Sequence, residues 1–282
     1  MAIPDFVSRP RLEDYKEQFK DYFHMERKNG VLLVRMHYKG GPVKWTFQAH
    51  QACGQVWHTI GNDPENEVMI LTCAGDTWIH DGDKEADAAT EHHVNQKDPS
   101  TVIYEYYLYD TNKLVTNLIN DIDIPTIGVI NGPGFHTEMG LLCDISLCTP
   151  DCEFGDHHFM MGWVPGDGQL LVFQQLIGLK RAAYHLYTGN NIDAQTALEW
   201  GLVNEVVPRE KIIDRAYELA GTIMKQHRVN RRVTAQLIKR PWKRLITNDY
   251  DLHVSNEFYG LQVTQPKHDF EKITKTFHKP EK

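Results

Sequence analysis

Residues 67–73 read EVMILTC, a nearly continuous apolar run too short for a buried helix and too uniform for a half-exposed strand. A run of this kind suits a strand of a parallel sheet covered on both faces. GVLLVRMHY (30–38), IPTIGVIN (124–131) and DISLCT (144–149) read as further strands. Between them, apolar positions spaced three and four apart predict helices over 45–60 and about 99–121, and a later one including Ala182–Thr188. A polar loop with Gly75, Gly82 and many acids follows the 67–73 strand. Helix and strand alternate, so an α/β layered fold is expected. After Pro208 the pattern is helical with no clear strand. The chain is therefore expected to divide into an α/β core over 1–208 and a C-terminal helical region over 209–282.

The 282 residues carry a formal net charge of −8, which argues against a nucleic-acid partner held through its phosphates. The five cysteines form no CxxC pair and lie in apolar runs, as expected of reduced thiols in the cytoplasm. Cys148 and Cys152 lack nearby residues to complete a metal set. The first residues are too charged for a signal peptide, and no apolar run approaches the roughly 20 residues that span a bilayer. A soluble cytoplasmic protein without a membrane partner is expected. The basic run 225–244, KQHRVNRRVTAQLIKRPWKR, reads as a solvated helix face.

FGDHHFMMGWVPGDG (154–168) places acids and two adjacent histidines in an otherwise apolar, glycine-rich stretch. Charged groups are costly to bury unpaired, so this is either a solvated turn or the wall of a site. His158 titrates near neutrality, and Asp167, beyond a turn containing Gly162, Pro165 and Gly166, is placed to return and orient it. The plain alternative is a surface histidine and a turn aspartate. His157 points away from His158 if the segment is extended, and Asp156 reads as a turn or capping residue. His136, His158 and Asp167 are of types that bind zinc, but no HExxH-like motif accompanies them and no metal is expected.

Three segments together resemble the crotonase, or enoyl-CoA hydratase/isomerase, superfamily. They are 62–83 (NDPENEVMILTCAGDTWIHDGD), 124–168, and 176–208 (LIGLKRAAYHLYTGNNIDAQTALEWGLVNEVVP). The resemblance implies a spiral of ββα units with a helical C-terminal region, assembled as a homotrimer or dimer of trimers. The family's glycine triplet reads Phe135-His136-Thr137 here, followed by Glu138, and His158 stands where hydratases carry a second glutamate.

These departures, with VKWTFQAH (43–50) and DLHVSNEF (251–258), resemble the 6-oxocamphor hydrolase type of β-diketone hydrolase. That resemblance implies cofactor-independent retro-Claisen cleavage of a small, cyclic β-diketone. It implies His158 and Asp167 for water activation, His136 as an oxyanion or enolate donor, and Glu257 as a proton donor or water anchor. Trp45 would donate its indole N–H to a carbonyl, and Phe135, Phe159 and Trp163 would line the pocket. Gly82 and Phe135 hold the positions of the family's backbone oxyanion hole, and Glu138 is either a site carboxylate or a buried structural one. The alternatives are a hydratase or isomerase of acyl-CoA thioesters, a metallohydrolase, and a non-catalytic member of the fold.

Overall fold

The apolar runs become the strands of one six-stranded sheet in a computed structural model that describes residues 7–83, 98 and 103–264. The acid-rich stretch 84–97, the start of the expected 99–121 helix and the end of the helical region, 265–282, lie outside the described residues.

The chain opens with α1 (Leu12–Gln18), β1 (Phe23–Lys28), β2 (Val31–Met36) and β3 (Val43–Trp45), then α2 (Phe47–Asn62), β4 (Val68–Cys73) and β5 (Ile79–Gly82). A wide helical segment, Ile103–Thr111, runs into α3 (Asn112–Asn120), followed by β6 (Thr126–Ile130), α4 (Glu138–Leu141), β7 (Ile145–Cys148) and β8 (Glu153–Phe154). Next come α5 (Gln169–Ile177), α6 (Leu179–Thr188), β9 (Ile192–Asp193), α7 (Ala194–Glu199) and β10 (Glu205–Val206). The helices α8 (Arg209–Met224), α9 (Arg228–Ile238), α10 (Arg240–Leu245) and α11 (Asp251–Thr264) complete the described chain.

The sheet order is β1-β2-β4-β6-β7-β10, antiparallel between β1 and β2 and parallel elsewhere. β1 went unread in the sequence because, as an edge strand, it alternates Phe23 and Met25 with exposed polar residues. Side chains alternate across the sheet, so Leu32, Val34, Met69 and Leu71 join the larger core with α2 and α3. Val31, Leu33, Val68, Ile70, Ile127 and Val129 form the second core, closed by Ile212, Ala216 and Ala220 of α8. The glycine spacing is tight where layers touch. A Cβ on Gly128 would lie 2.2 Å from the carbonyl oxygen of Gly140, so only glycine lets α4 approach β6 that closely.

Two expectations need correction. Trp45 does not head the helix that begins nearby. It ends β3, pairs with Gly82 of β5, and precedes Thr46, whose Oγ1 caps α2 by accepting from the Ala49 amide at 3.2 Å. The basic run is not simply a solvated face either. Arg228 and Arg231 pair with Glu67, Arg232 with Asp123, and the buried Lys239 with Asp144 at 2.6 Å. These cations fasten the C-terminal helices to acids that precede β4, β6 and β7, and burial requires such pairing.

Candidate active site

The loop after β6 bends through Gly132, Pro133 and Gly134 and delivers His136 with φ +55°, a left-handed conformation uncommon for a non-glycine residue. The strain is held from both sides. The Trp78 indole donates to the His136 carbonyl at 2.9 Å, and the Phe135 amide donates to the Ile79 carbonyl at 2.8 Å. His136 then places Nδ1 2.9 Å from Glu138 Oε1 and 3.3 Å from Asp167 Oδ2.

The 154–168 stretch supplies the opposite wall. His158 directs Nε2 to within 3.5 Å of the same Asp167 oxygen and 3.9 Å of Glu257 Oε1. One carboxylate oxygen thus lies between two imidazoles. The position of Asp167 is fixed locally, because its Oδ1 accepts from the Gln169 amide, whose side-chain Oε1 in turn accepts from Thr137 and the Glu138 amide. Glu257 arrives from α11, and the fit depends on Gly166: a Cβ there would lie 2.5 Å from Glu257 Cβ.

Charge follows from this burial. Desolvation disfavours the Asp167 carboxylate, but His158 and His136 outweigh it and hold the group below its ordinary range. Burial opposes a charged His158, yet Asp167, Asp156 and Glu257 together raise it well above 6.5. His136 is likewise raised, since Glu138 and Asp167 overcome its burial. Burial lifts Glu257 to about 8 despite the attraction of His158, and lifts Glu138 as well.

The expected residues divide plainly. His136, Glu138, His158, Asp167 and Glu257 converge, and Trp45 joins them with its ring 4.4 Å from that of His136. Phe135 lies 5.4 Å from the His136 ring and Trp163 5.7 Å from the His158 ring. Phe159 does not join them: it is 47% exposed and packs edge-on against Tyr187. Gly82 pairs with Trp45 in the short β3–β5 ladder. The Phe135 amide, expected in a backbone oxyanion hole, is already committed to Ile79. His157 does point away from the cluster but is buried, and burial keeps its ring below its ordinary value.

Two contributors went unrecognised. Asp156, read as a turn residue, does accept from the His158 amide at 3.1 Å, but the same oxygen stands 2.8 Å from His158 Nδ1. His50 occupies the fourth residue of α2, where a helix packs a side chain against the residue before its N-cap. Its ring meets Trp45 at 4.4 Å and His136 at 5.3 Å, and burial lowers it to about 3, so it stays neutral. A titratable residue at that stapling position was the available signal.

Three buried atoms, Trp45 Nε1, Glu138 Oε2 and Glu257 Oε2, find no protein partner among the described residues. An indole donor and two carboxyl oxygens thus keep unused hydrogen-bonding capacity inside the cluster. One ligand atom each of His136, Glu138 and Asp167 lie within 4.8 Å of one another, the set here best able to hold a cation. The 2.9 Å between His136 Nδ1 and Glu138 Oε1 is, however, the spacing of a direct N–H···O bond.

Residues 26–265 match the family model for enoyl-CoA hydratase/isomerase. A β-diketone hydrolase from the cyanobacterium Anabaena, solved with (S)-3-oxocyclohexyl acetic acid, is 30% identical with a TM-score of 0.79, covering 92% of this chain and 100% of that one. A Mycobacterium paratuberculosis enoyl-CoA hydratase/isomerase shares the fold at TM-score 0.76 and 20% identity, covering 90% of this chain and 98% of that one. By sequence, a hydroxycinnamoyl-CoA hydratase-lyase from Pseudomonas fluorescens is 28% identical over 66% of each chain. The chain thus spans just under two thirds of that relative's length. No helix among the described residues is long and apolar enough to cross a membrane.

Proposed function

The chain belongs to the enoyl-CoA hydratase/isomerase, or crotonase, family, and on that premise we propose that it is a hydrolase cleaving a carbon–carbon bond of a cyclic β-diketone. The observation that carries the reading is the buried Asp167 oxygen lying between His136 and His158, with Glu257 beside it. The ligand of the Anabaena hydrolase adds support. It joins a ketone and a carboxylate on one skeleton, the pair that hydrolysis of one C–C bond in a bicyclic 1,3-diketone leaves.

In the proposed reaction, neutral His158 takes a proton from water at Nε2 while the water oxygen bonds to one carbonyl carbon. His136, whose protonated form Glu138 and Asp167 favour, donates to the oxyanion, and the Trp45 indole donates to the second carbonyl. The C–C bond then breaks, its electron pair becoming the enolate of that second carbonyl. Glu257 protonates the enolate carbon and is reprotonated by the His158 imidazolium 3.9 Å away, which completes a keto acid that contains the diketone plus one water and restores both side chains. The scheme needs no cofactor. Phe135 and Trp163 supply apolar walls.

The relatives' names favour a second reading, an acyl-CoA hydratase. Against it, the Phe135 amide is spent on Ile79 and cannot serve a thioester oxyanion as the structure stands. Exposed Leu179, Tyr184 and Tyr187 of α6 suit subunit contact, consistent with the homotrimer or dimer of trimers that belongs to this proposal.

Enolate absorbance of a panel of cyclic 1,3-diketones, followed with wild type and His158→Ala in the presence of chelator, tests the reading. Loss of absorbance with wild type alone is expected. An inert wild type that hydrates crotonyl-CoA would replace the proposal with the second reading. Activity abolished by chelator alone would move the His136, Glu138 and Asp167 group to a metal role.

A further inference from the structure

We propose that Asp156 is the positioning residue of His158. It fixes the proton on Nδ1, which makes Nε2 the nitrogen that works. The inference deepens the hydrolase reading and rests on it for its kinetic consequences, though not for its structural one.

Asp167, the expected partner of His158, stands 3.5 Å from Nε2, too far for a strong direct bond. Asp156 Oδ1 stands 2.8 Å from Nδ1 and also accepts from the His158 amide at 3.1 Å. One oxygen therefore ties ring and backbone of the same residue together. The backbone is held from its other end as well, since the Trp163 amide donates to the His158 carbonyl at 2.8 Å. The Asp156 side chain is 1% exposed, so water does not compete for this bond.

Tautomer follows from this geometry. A carboxylate accepts only, so a neutral His158 must carry its proton on Nδ1 and present a lone pair at Nε2. That lone pair faces Asp167 and Glu257, where a water would sit. Without Asp156 the Nε2–H tautomer becomes available, with the proton directed at the Asp167 carboxylate, and such a ring cannot accept from water. Asp156 and Asp167 thus divide the work: one orients the ring, and the other stabilises its charge from the far side. The charges acting on His158 are those of Asp156, Asp167 and Glu257, which favour its protonated form, and those of His136 and, from the adjacent position, His157, which oppose it.

Asp156→Asn and Asp156→Ala distinguish orientation from charge. In the asparagine variant, the His158 amide keeps the side-chain oxygen in place, so the Nδ1 bond persists without the negative charge. Long-range proton–nitrogen NMR across a pH titration, with the His158 signals identified by their loss in His158→Gln, reads the ring directly. Wild type and Asp156→Asn are expected to show Nδ1-protonated neutral His158, with the titration about one pH unit lower in Asp156→Asn. Asp156→Ala is expected to lose that tautomer and about 100-fold in kcat, with KM within about threefold. Asp156→Asn should recover most of that loss.

An unchanged tautomer in Asp156→Ala, or an unshifted His158 titration in Asp156→Asn, overturns the proposal. The second criterion stands even if the alanine variant fails to fold. Both NMR readouts need no substrate. A wild type inert toward diketones therefore sinks the hydrolase reading while the tautomer test still decides this one.

Discussion

Asp167 Oδ2 lies 3.3 Å from His136 Nδ1, and the charge on that oxygen reaches across the site to His158 as well. Replacing it removes the shared counter-charge without removing bulk. Asp167→Asn is expected to lower the titration of both imidazoles and to reduce kcat about 100- to 1000-fold, mainly by weakening the donor role of His136. Steady-state kinetics with NMR titration of the two rings checks this.

The rate should follow a bell-shaped pH profile with its optimum on the alkaline side of neutrality. Water activation needs neutral His158, whose value is raised above 6.5, so activity climbs as pH passes that region. Proton donation needs neutral Glu257, which ionises at about 8, so activity falls beyond it. Glu257→Gln is expected to abolish the alkaline limb and to cost about 10- to 100-fold in kcat.

Stability should run the other way. A raised histidine contributes stability that is fully present below its unfolded value of 6.5 and is lost as pH rises through its folded value. Glu257, held protonated to about 8 against an ordinary 4.5, makes folding less favourable as pH climbs between those values. Both effects have the same sign, and the neutral-held His50 and His157 oppose them only below about 6.5, so Tm is expected to decline from about pH 7 to pH 9. His158→Gln should flatten part of that slope in a calorimetric series.

The unpartnered Trp45 indole offers a cleaner deletion. Trp45→Phe keeps an aromatic wall beside His50 and His136 but removes Nε1–H. A lost hydrogen bond of about 1 kcal/mol predicts roughly a fivefold fall in kcat/KM, with little change in Tm.

Lys239 tests how the C-terminal helices are held. Its Nζ reaches Asp144 Oδ2 at 2.6 Å and the Ile124 carbonyl at 2.9 Å from a fully buried position. Lys239→Ala leaves the Asp144 carboxylate unpaired and should cost about 3–5 kcal/mol, read by urea unfolding.

Much of this architecture was legible because periodicity and burial are local properties. The continuous apolar runs at 67–73 and 124–131 could hardly be anything but covered parallel strands, and they became β4 and β6. The crotonase fold was legible through three segments and is supported by the family match. What stayed hidden depended on turns and on distant partners. Asp156 is two residues from His158, and only the turn at 156–158 decides whether its carboxylate meets the ring or the solvent. His50 required knowing that Thr46, and not Trp45, caps α2. Phe159 follows His158 directly, yet the short helical turn over Phe159–Met161 swings it outward to Tyr187. Basic residues at 228–239 looked solvated because Glu67, Asp123 and Asp144 lie more than ninety residues away.

The most direct test of the central claim is mass analysis of the product formed from a bicyclic 1,3-diketone in heavy-oxygen water. The account predicts a keto acid carrying one heavy oxygen in its new carboxylate, formed by wild type and not by His158→Ala. Diketone recovered intact from wild type, alongside hydration of crotonyl-CoA by the same preparation, would contradict it.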